Sequence, residues 1–349
     1  MIFLGDIAVN SNSPIRIKNL PGDISNTLAV ANLEGGIVQN NLELQKKKYV
    51  YNSAEVVEYL KLLNVKVVTL ANNHIFDINA SIKGTQNVLR TNRVKFLGAG
   101  SDLDEASQPA IIKIGNQNLL FLAFSWKVIN SKIAKNNSPG VNPLAPEHVL
   151  NSIEKSKKDY PDHKIILLLH WNYESELYPQ PMHRELAQAA IDQGANGVIG
   201  SHSHIVQGIE IYKDSPIAYC LGNWLFPQNT FWGGKLKFDQ ISTRELAFEW
   251  NFDDNSMMCH WFDFDTASNN LIYDFSEPLI DSEYITKLTP YRGLNKDEYV
   301  SWFNTHRRKK VLLPIYRDIN SNVTNTIKDS WVMIRNLLIS ILLKLKLKK

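Results

Sequence analysis

The chain opens on apolar runs too continuous for half-exposed strands, and such runs recur up to Phe226. Unbroken runs of this kind mark strands covered on both faces, as in parallel sheets. Ile2-Phe3-Leu4 reads as the first, with Gly5-Asp6 at its C-terminal end, and Leu28 to Leu33 as the second, delivering Glu34. Val65 to Leu70 carries the chain to Ala71-Asn72-Asn73-His74, and the run from Val94 returns as a strand through Gly98-Ala99-Gly100. Residues 111–125 read as two strands around the turn Gly115-Asn116. Between these runs the apolar spacing turns helical, about Ser53 to Leu63 behind the capping candidates Asn52 and Ser53, and roughly Ala80 to Thr91. Glu147 to Tyr160, stopped by Pro161, and Met182 to Gln193, with Gly194 at the left-handed cap, complete the series.

Strands alternating with helices of this length predict an α/β architecture built from βαβ units. After Phe226 the pattern changes. Residues 245–252 and 258–264 alternate apolar and polar around Asp253-Asp254-Asn255, which predicts an antiparallel hairpin. A mixed sheet, or two stacked sheets with helices outside, accommodates both halves. Beyond about Pro290, helices are expected over Asp297 to Lys310 and Thr324 to Lys346, so the chain divides into a main domain, 1–290, and a helical extension, 291–349. The last helix ends in leucines interleaved with lysines, a pattern suited to a membrane surface over 331–349 or to packing on its own domain with a solvated end.

With 349 residues, 44% hydrophobic and 21% charged, the chain is an ordinary globular protein, which excludes disordered and collagen-like classes. A net charge of +3, concentrated in Arg307-Arg308-Lys309-Lys310 and the terminal lysines, is too small to argue for nucleic acid. Cys220 and Cys259 make no zinc spacing and no disulfide framework, and read as buried thiols. No signal peptide opens the sequence and no run of about 18 apolar residues spans a membrane, so a cytoplasmic location is expected, at most peripheral to the inner face of the membrane.

The polar residues that end these apolar runs are Asp6, Glu34, Asn73, His74, His170, His202 and His204. Open α/β sheets place ligands beyond the carboxyl ends of their strands, so one sheet edge can gather the set. Carboxylates, an amide oxygen and neutral imidazoles are the donors a borderline divalent ion accepts. Two such ions about 4 Å apart clamp both oxygens of a phosphoryl transfer. For any single histidine, a satisfied core position is the simpler reading; three at strand ends point to a metal site. Lys46-Lys47-Lys48, Trp171, Tyr173, Glu174 and Asn223 are weaker candidates for lining it.

The blocks Gly-Asp (5–6), Asn-Leu-Glu (32–34), Leu-Ala-Asn-Asn-His-Ile-Phe-Asp (70–77), Gly-Thr (84–85), Gly-Ala-Gly (98–100), His-Trp-Asn-Tyr-Glu (170–174), Gly-Ser-His-Ser-His (200–204) and Leu-Gly-Asn-Trp (221–224) resemble, in order and spacing, the CapA family of poly-γ-glutamate capsule biosynthesis. That family is related to the calcineurin-like metallophosphoesterases. The resemblance implies a four-layer α/β/β/α sandwich of metallophosphoesterase type with a metal site at one sheet edge. It implies Asp6 as first carboxylate ligand, Glu34 as bridge, Asn73 as amide oxygen, and His170, His202 and His204 as imidazole ligands. His74 would be the general acid, oriented by Asp77. The ligands would divide as Asp6, Glu34 and His204 at one ion and Glu34, Asn73, His170 and His202 at the other.

The sequence departs from the family pattern at several places. Ala8 stands where a D-x-H motif needs histidine, Asn172 where glycine is usual, Asn79 where a small residue is usual, and Ser203 where proline is common; no arginine lies close behind Asp6. The resemblance leads to the expectation of one or two ions of Mn, Fe or Zn and a hydrolase of a phosphoester or other anionic precursor of a surface polymer. A non-catalytic component of polymer assembly or export, and ester or amide chemistry on a glutamyl polymer, are the alternatives.

Overall fold

The computed structural model describes residues 1–38, 48–78, 81–308 and 313–344. Its centre is strand Ile2–Ile7, buried along its whole length. On one side it pairs in parallel with Ala29–Leu33, then Val65–Thr69, then Lys95–Leu97. On the other side it meets Asn223–Leu225 in parallel and Arg244–Trp250 antiparallel. The sheet continues antiparallel through Met257–Asp265 and Asn270–Pro278. The hairpin pairs Trp250 with Met257, as the alternation around Asp253-Asp254-Asn255 predicts. A second sheet runs, in spatial order, Ile209–Tyr212, Ser215–Ala218, Gly197–Ser201, His163–His170, Gln117–Ser125 and Ala110–Ile114.

Alternation along the strands explains how the two sheets stack, because successive side chains leave a strand on opposite faces. Phe3 packs with Phe121, Ala123, Leu168 and Ile199 in an apolar layer between the sheets. Its neighbours Ile2 and Leu4 pack outward with Val56, Leu60 and Leu89, from helices Val56–Leu62 and Ser81–Thr91. In the second sheet Ile165, Leu167 and Leu169 face outward onto Val149, Ile153, Leu186 and Ala190, from helices Pro146–Asp159 and Pro181–Gln193. The layers are therefore helix, sheet, sheet, helix, an α/β fold.

Two local expectations change. Asn52 does not cap the following helix; its side chain accepts from Val9 N–H at 2.8 Å and donates to Glu34 O at 2.9 Å and Gly35 O at 3.2 Å. An amide that can bind three backbone groups around the first two strands is better used there than on one helix N–H. The run from Val94 is also not one strand. Gly98, at φ +91°, turns the chain so that Lys95–Leu97 joins the large sheet while Ala99–Gly100 pairs with Gly140–Val141.

Residues beyond Pro290 pack on the second sheet's helices. Tyr291, Tyr299, Phe303, Tyr316 and Val332 share one apolar cluster with Trp171 and Leu186. Helix Lys296–His306 starts with a capping box between Asn295 and Glu298. Arg184 ties the segment down: it holds Glu210 through two bonds of 2.8 Å, donates to Leu294 O at 2.8 Å and sits 4.7 Å over the Tyr299 ring. The C-terminal helix Asn322–Lys344 buries Val332 but leaves Val323, Ile327, Trp331, Ile334, Leu338 and Ile341 exposed. No helix among the described residues is long and apolar enough to cross a membrane.

Candidate metal centre

Asp6 stands one residue before the end of the central strand, with Asn32 and Asn223 as its register partners on either side. Gly5 makes that crowding feasible, since a Cβ there would lie 2.1 Å from Gly222 O. Asn32 Nδ2 donates to Asp6 Oδ1 at 2.7 Å and reaches Glu34 Oε2 at 3.4 Å. Asp6 Oδ2 accepts from His202 N–H at 3.3 Å and lies 3.4 Å from His204 Nδ1. Burial raises the Asp6 carboxyl above its ordinary value. Glu34 is shifted further, well above the usual carboxylate range, by burial first and then by the Asp6 charge. Two buried carboxylates held together without a cation oppose each other's ionisation.

His170 ends strand His163–His170, with Nε2 2.8 Å from Asn73 Oδ1 and Nδ1 2.8 Å from Ser201 Oγ. Its ring centroid lies 4.8 Å from that of His202, which lies 5.8 Å from that of His204. Burial holds His170 and His202 well below the ordinary histidine value, so both are neutral, the form that binds metals. His202 and His204 adopt φ of +93° and +57°, a left-handed backbone that non-glycine residues enter at a cost and that concentrates at functional sites. His204 Nδ1 lies 2.9 Å from Asn223 Oδ1, and its ring packs against Phe238 and Phe226 at 4.4 and 5.4 Å.

These side chains form two potential ligand groups, Asp6–Glu34–His170 and Glu34–His202–His204, with the donor atoms of each within 4.8 Å of one another. Glu34 belongs to both. His204 also lies 3.4 Å from Asp6 Oδ2 and 3.9 Å from Glu34 Oε1, so it stands beside both carboxylates. Glu34 Oε1 and His202 Nδ1 are buried with no hydrogen-bond partner among the described residues. Orphaned acceptors of this kind are costly unless something else satisfies them. An unpartnered carboxylate oxygen and an unpartnered imidazole nitrogen within one ligand group suit a divalent ion, so the residues fit a metal.

His74 and Asp77 stand beside this cluster at the mouth of a cleft. His74 Nδ1 lies 2.7 Å from Asp77 Oδ2, leaving Nε2 3.8 Å from Glu34 Oε1. The same Asp77 oxygen accepts from Val50 N–H at 2.9 Å, and His74 N–H donates to Asn72 Oδ1 at 3.2 Å. Sequence reading missed Asn72 and Asn32. Asn72 Nδ2 donates to Asn32 Oδ1 at 3.2 Å and to Leu33 O at 2.9 Å, linking the loop of His74 to the strand that carries Asp6's partner. The available signal was Asn32 itself, a polar residue inside an apolar run two positions before Glu34 and so on the same strand face.

Ala8 is buried with Val50, Tyr51, Phe226 and Phe231, an aromatic packing that occupies the neighbourhood of the missing histidine. Trp171 is core: Nε1 donates to Tyr219 O, and the ring stacks on His183 at 4.9 Å. Tyr173, Glu174 and Trp232 line the cleft with His74, and Lys48 sits 5.9 Å over the Trp232 ring. Lys46, Lys47, Asn79, Lys309 and Lys310 lie outside the described residues. Both cysteines are free and buried, and burial pushes the Cys220 thiol up to about 12.

Residues 23–228 match the family described as bacterial capsule synthesis protein PGA_cap. The chain is 31% identical over 194 residues to the PGA biosynthesis protein CapA of Bacillus subtilis, covering 54% of this chain and 50% of that one. It is 28% identical over 209 residues to a probable polyglutamine synthesis accessory protein of Mycobacterium tuberculosis, covering 56% and 54%. It thus spans about half the length of these relatives. Among solved structures, a 5'-nucleotidase precursor from Thermus thermophilus aligns with a TM-score of 0.36 and 12% identity, over 72% of this chain and 44% of that one. The family match takes in Glu34, Asn73, His74, Asp77 and all three clustered histidines, spans more than half of the 349 residues, and makes this chain a member of the bacterial capsule synthesis protein PGA_cap family.

Proposed function

We propose that the chain is a metal-dependent hydrolase of a phosphoester or related anionic ester, acting in the synthesis of a capsule or other cell-surface polymer. The observation that carries this reading is the buried Glu34 carboxylate, shared by two ligand groups and with one oxygen unpartnered among the described residues. Asp6, Glu34, Asn73, His170, His202 and His204 would hold one or two ions of Mn, Fe or Zn. Such ions, when bound, supply Lewis-acid charge to a phosphoryl group. The chain's own residues do the rest. Asp77 fixes the His74 ring by accepting from Nδ1–H, so that in the imidazolium form Nε2–H would be the proton given to a leaving oxygen, with the ring left neutral. Val50 N–H and Asn72 hold that pair in place from the backbone side. Family membership and the names of the relatives support the polymer setting.

A second reading, a non-catalytic component of polymer assembly, is favoured by two observations. Ala8 and its aromatic neighbours leave the ion nearest Asp6 one histidine short, and the Mycobacterium tuberculosis relative is named an accessory protein. Turnover of a panel of phosphoesters and sugar phosphates by the metal-loaded protein, combined with cellular complementation by His74→Ala, separates the two. The hydrolase reading expects turnover and no complementation. Full complementation by His74→Ala without turnover by the wild type would establish the scaffold instead.

A further inference from the structure

The cleft in front of the candidate centre holds about 670 Å³, which a single phosphate leaves mostly empty and which suits a ligand of small-molecule size. Its lining comes from two sources. Asn73, His74, Asp77 and His202 line it from the candidate centre, while Arg335 and Asn336 line it from the C-terminal helix and Arg308 from the segment before that helix. Val128, Ile129, Leu313 and Val332 add apolar surface to the same lining. The arginine wall comes from sequence beyond residue 228, outside the span matched to the family.

The two arginines are not equivalent. Arg308 is engaged by Asp239 at 2.5 Å. Arg335 donates from Nη1 to the neutral Asn336 Oδ1 at 3.1 Å, no carboxylate pairs with it among the described residues, and its buried Nε has no hydrogen-bond partner there. Its position is fixed on both sides. Asn336 Nδ2 donates to Asn130 Oδ1 at 3.2 Å, and earlier on the same helix Asp329 meets Lys127 at 2.6 Å and accepts from the Tyr316 hydroxyl at 2.8 Å. A held guanidinium that lines a cleft and has no carboxylate on it among the described residues is a receptor for a carboxylate or phosphate.

We infer that Arg335 forms a second anion subsite, and that the natural substrate is a dianion: one acidic ester at His74, a second carboxylate or phosphate on Arg335, and a less polar portion joining them against the apolar lining. This rests on the hydrolase reading for the group at His74 only. The test is binding of alkanediol bisphosphates of graded length, each against the alkyl monophosphate of the same length, to wild type, Arg335→Gln and Arg335→Lys. In the wild type one length of bisphosphate should bind about tenfold or more tightly than its monophosphate, the worth of one charged hydrogen-bonded contact. Arg335→Gln should abolish that preference and leave monophosphate affinity unchanged. Arg335→Lys should keep part of it, since the charge remains without the planar fork, and this second variant keeps the test decisive if the first folds poorly. No preference at any length, or an equal loss for both ligands in Arg335→Gln, overturns the subsite. An Arg335-dependent preference without phosphoester turnover would uphold the subsite and remove the hydrolase reading; turnover without the preference would do the reverse.

Discussion

His74 is the residue whose loss should separate chemistry from metal binding. Its ring is held by Asp77 and not by the three clustered histidines, so His74→Ala should lower kcat by about 10²–10⁴-fold, the usual worth of a general acid, with metal content unchanged. Loss of metal together with activity would place His74 among the ligands instead. Asn32 makes the opposite case. Because it donates to Asp6, Asn32→Ala should weaken metal affinity by about 10–100-fold, as removing an outer partner of a ligand does; an unchanged affinity would show that the Asp6 position does not depend on it. His183 tests the core. It is wedged between Trp126 and Trp171, and burial lowers it from 6.5 to about 3. Between those two values the unfolded chain carries one proton more than the folded one, so this group's contribution costs stability as pH falls. The slope is about 1.4 kcal/mol per pH unit. His183→Phe should flatten urea-derived stability against pH between 6 and 4 by about that slope, and an identical slope in the variant would contradict it.

The strand ends were legible as elements because an unbroken apolar run of this length fits little else than a strand covered on both faces, and Asp6, Glu34 and His170 each follow one. Which donor serves which position was not legible, since it depends on how the turn through His202 and His204 folds back. That turn uses left-handed φ values no spacing rule announces. Asn52 misled for a related reason: a good capping residue is also a good binder of loose backbone groups, and only tertiary contacts decide between them. The C-terminal helix makes a buried contact through Val332 and leaves an exposed apolar row from Val323 to Ile341. The sequence beyond that row carries Lys344, Lys346, Lys348 and Lys349, a charge that complements an anionic lipid surface. The protein should sediment with anionic vesicles, and Ile334→Ser with Leu338→Ser should release it while sparing Val332 and Arg335. Vesicle binding unaffected by that pair would show that this face serves something else.

At the scale of the whole molecule, the two sheets stack so that the carboxyl ends of strands from both come to one edge. Asp6 and Glu34 arrive from the larger sheet, and His170, His202 and His204 from the smaller. No single stretch of sequence contains the site; the stacking assembles it, and Glu34 stands where the halves meet. The most direct measurement is therefore the metal content of purified wild type beside Glu34→Gln, with thermal unfolding to confirm that the variant is folded. Wild type should carry Mn, Fe or Zn in stoichiometric amount, and Glu34→Gln should carry almost none, because the residue common to both ligand groups has lost its charge. Wild-type protein that is metal-free yet fully functional in cells, or a Glu34→Gln variant that keeps its metal, would contradict a Glu34-centred metal site.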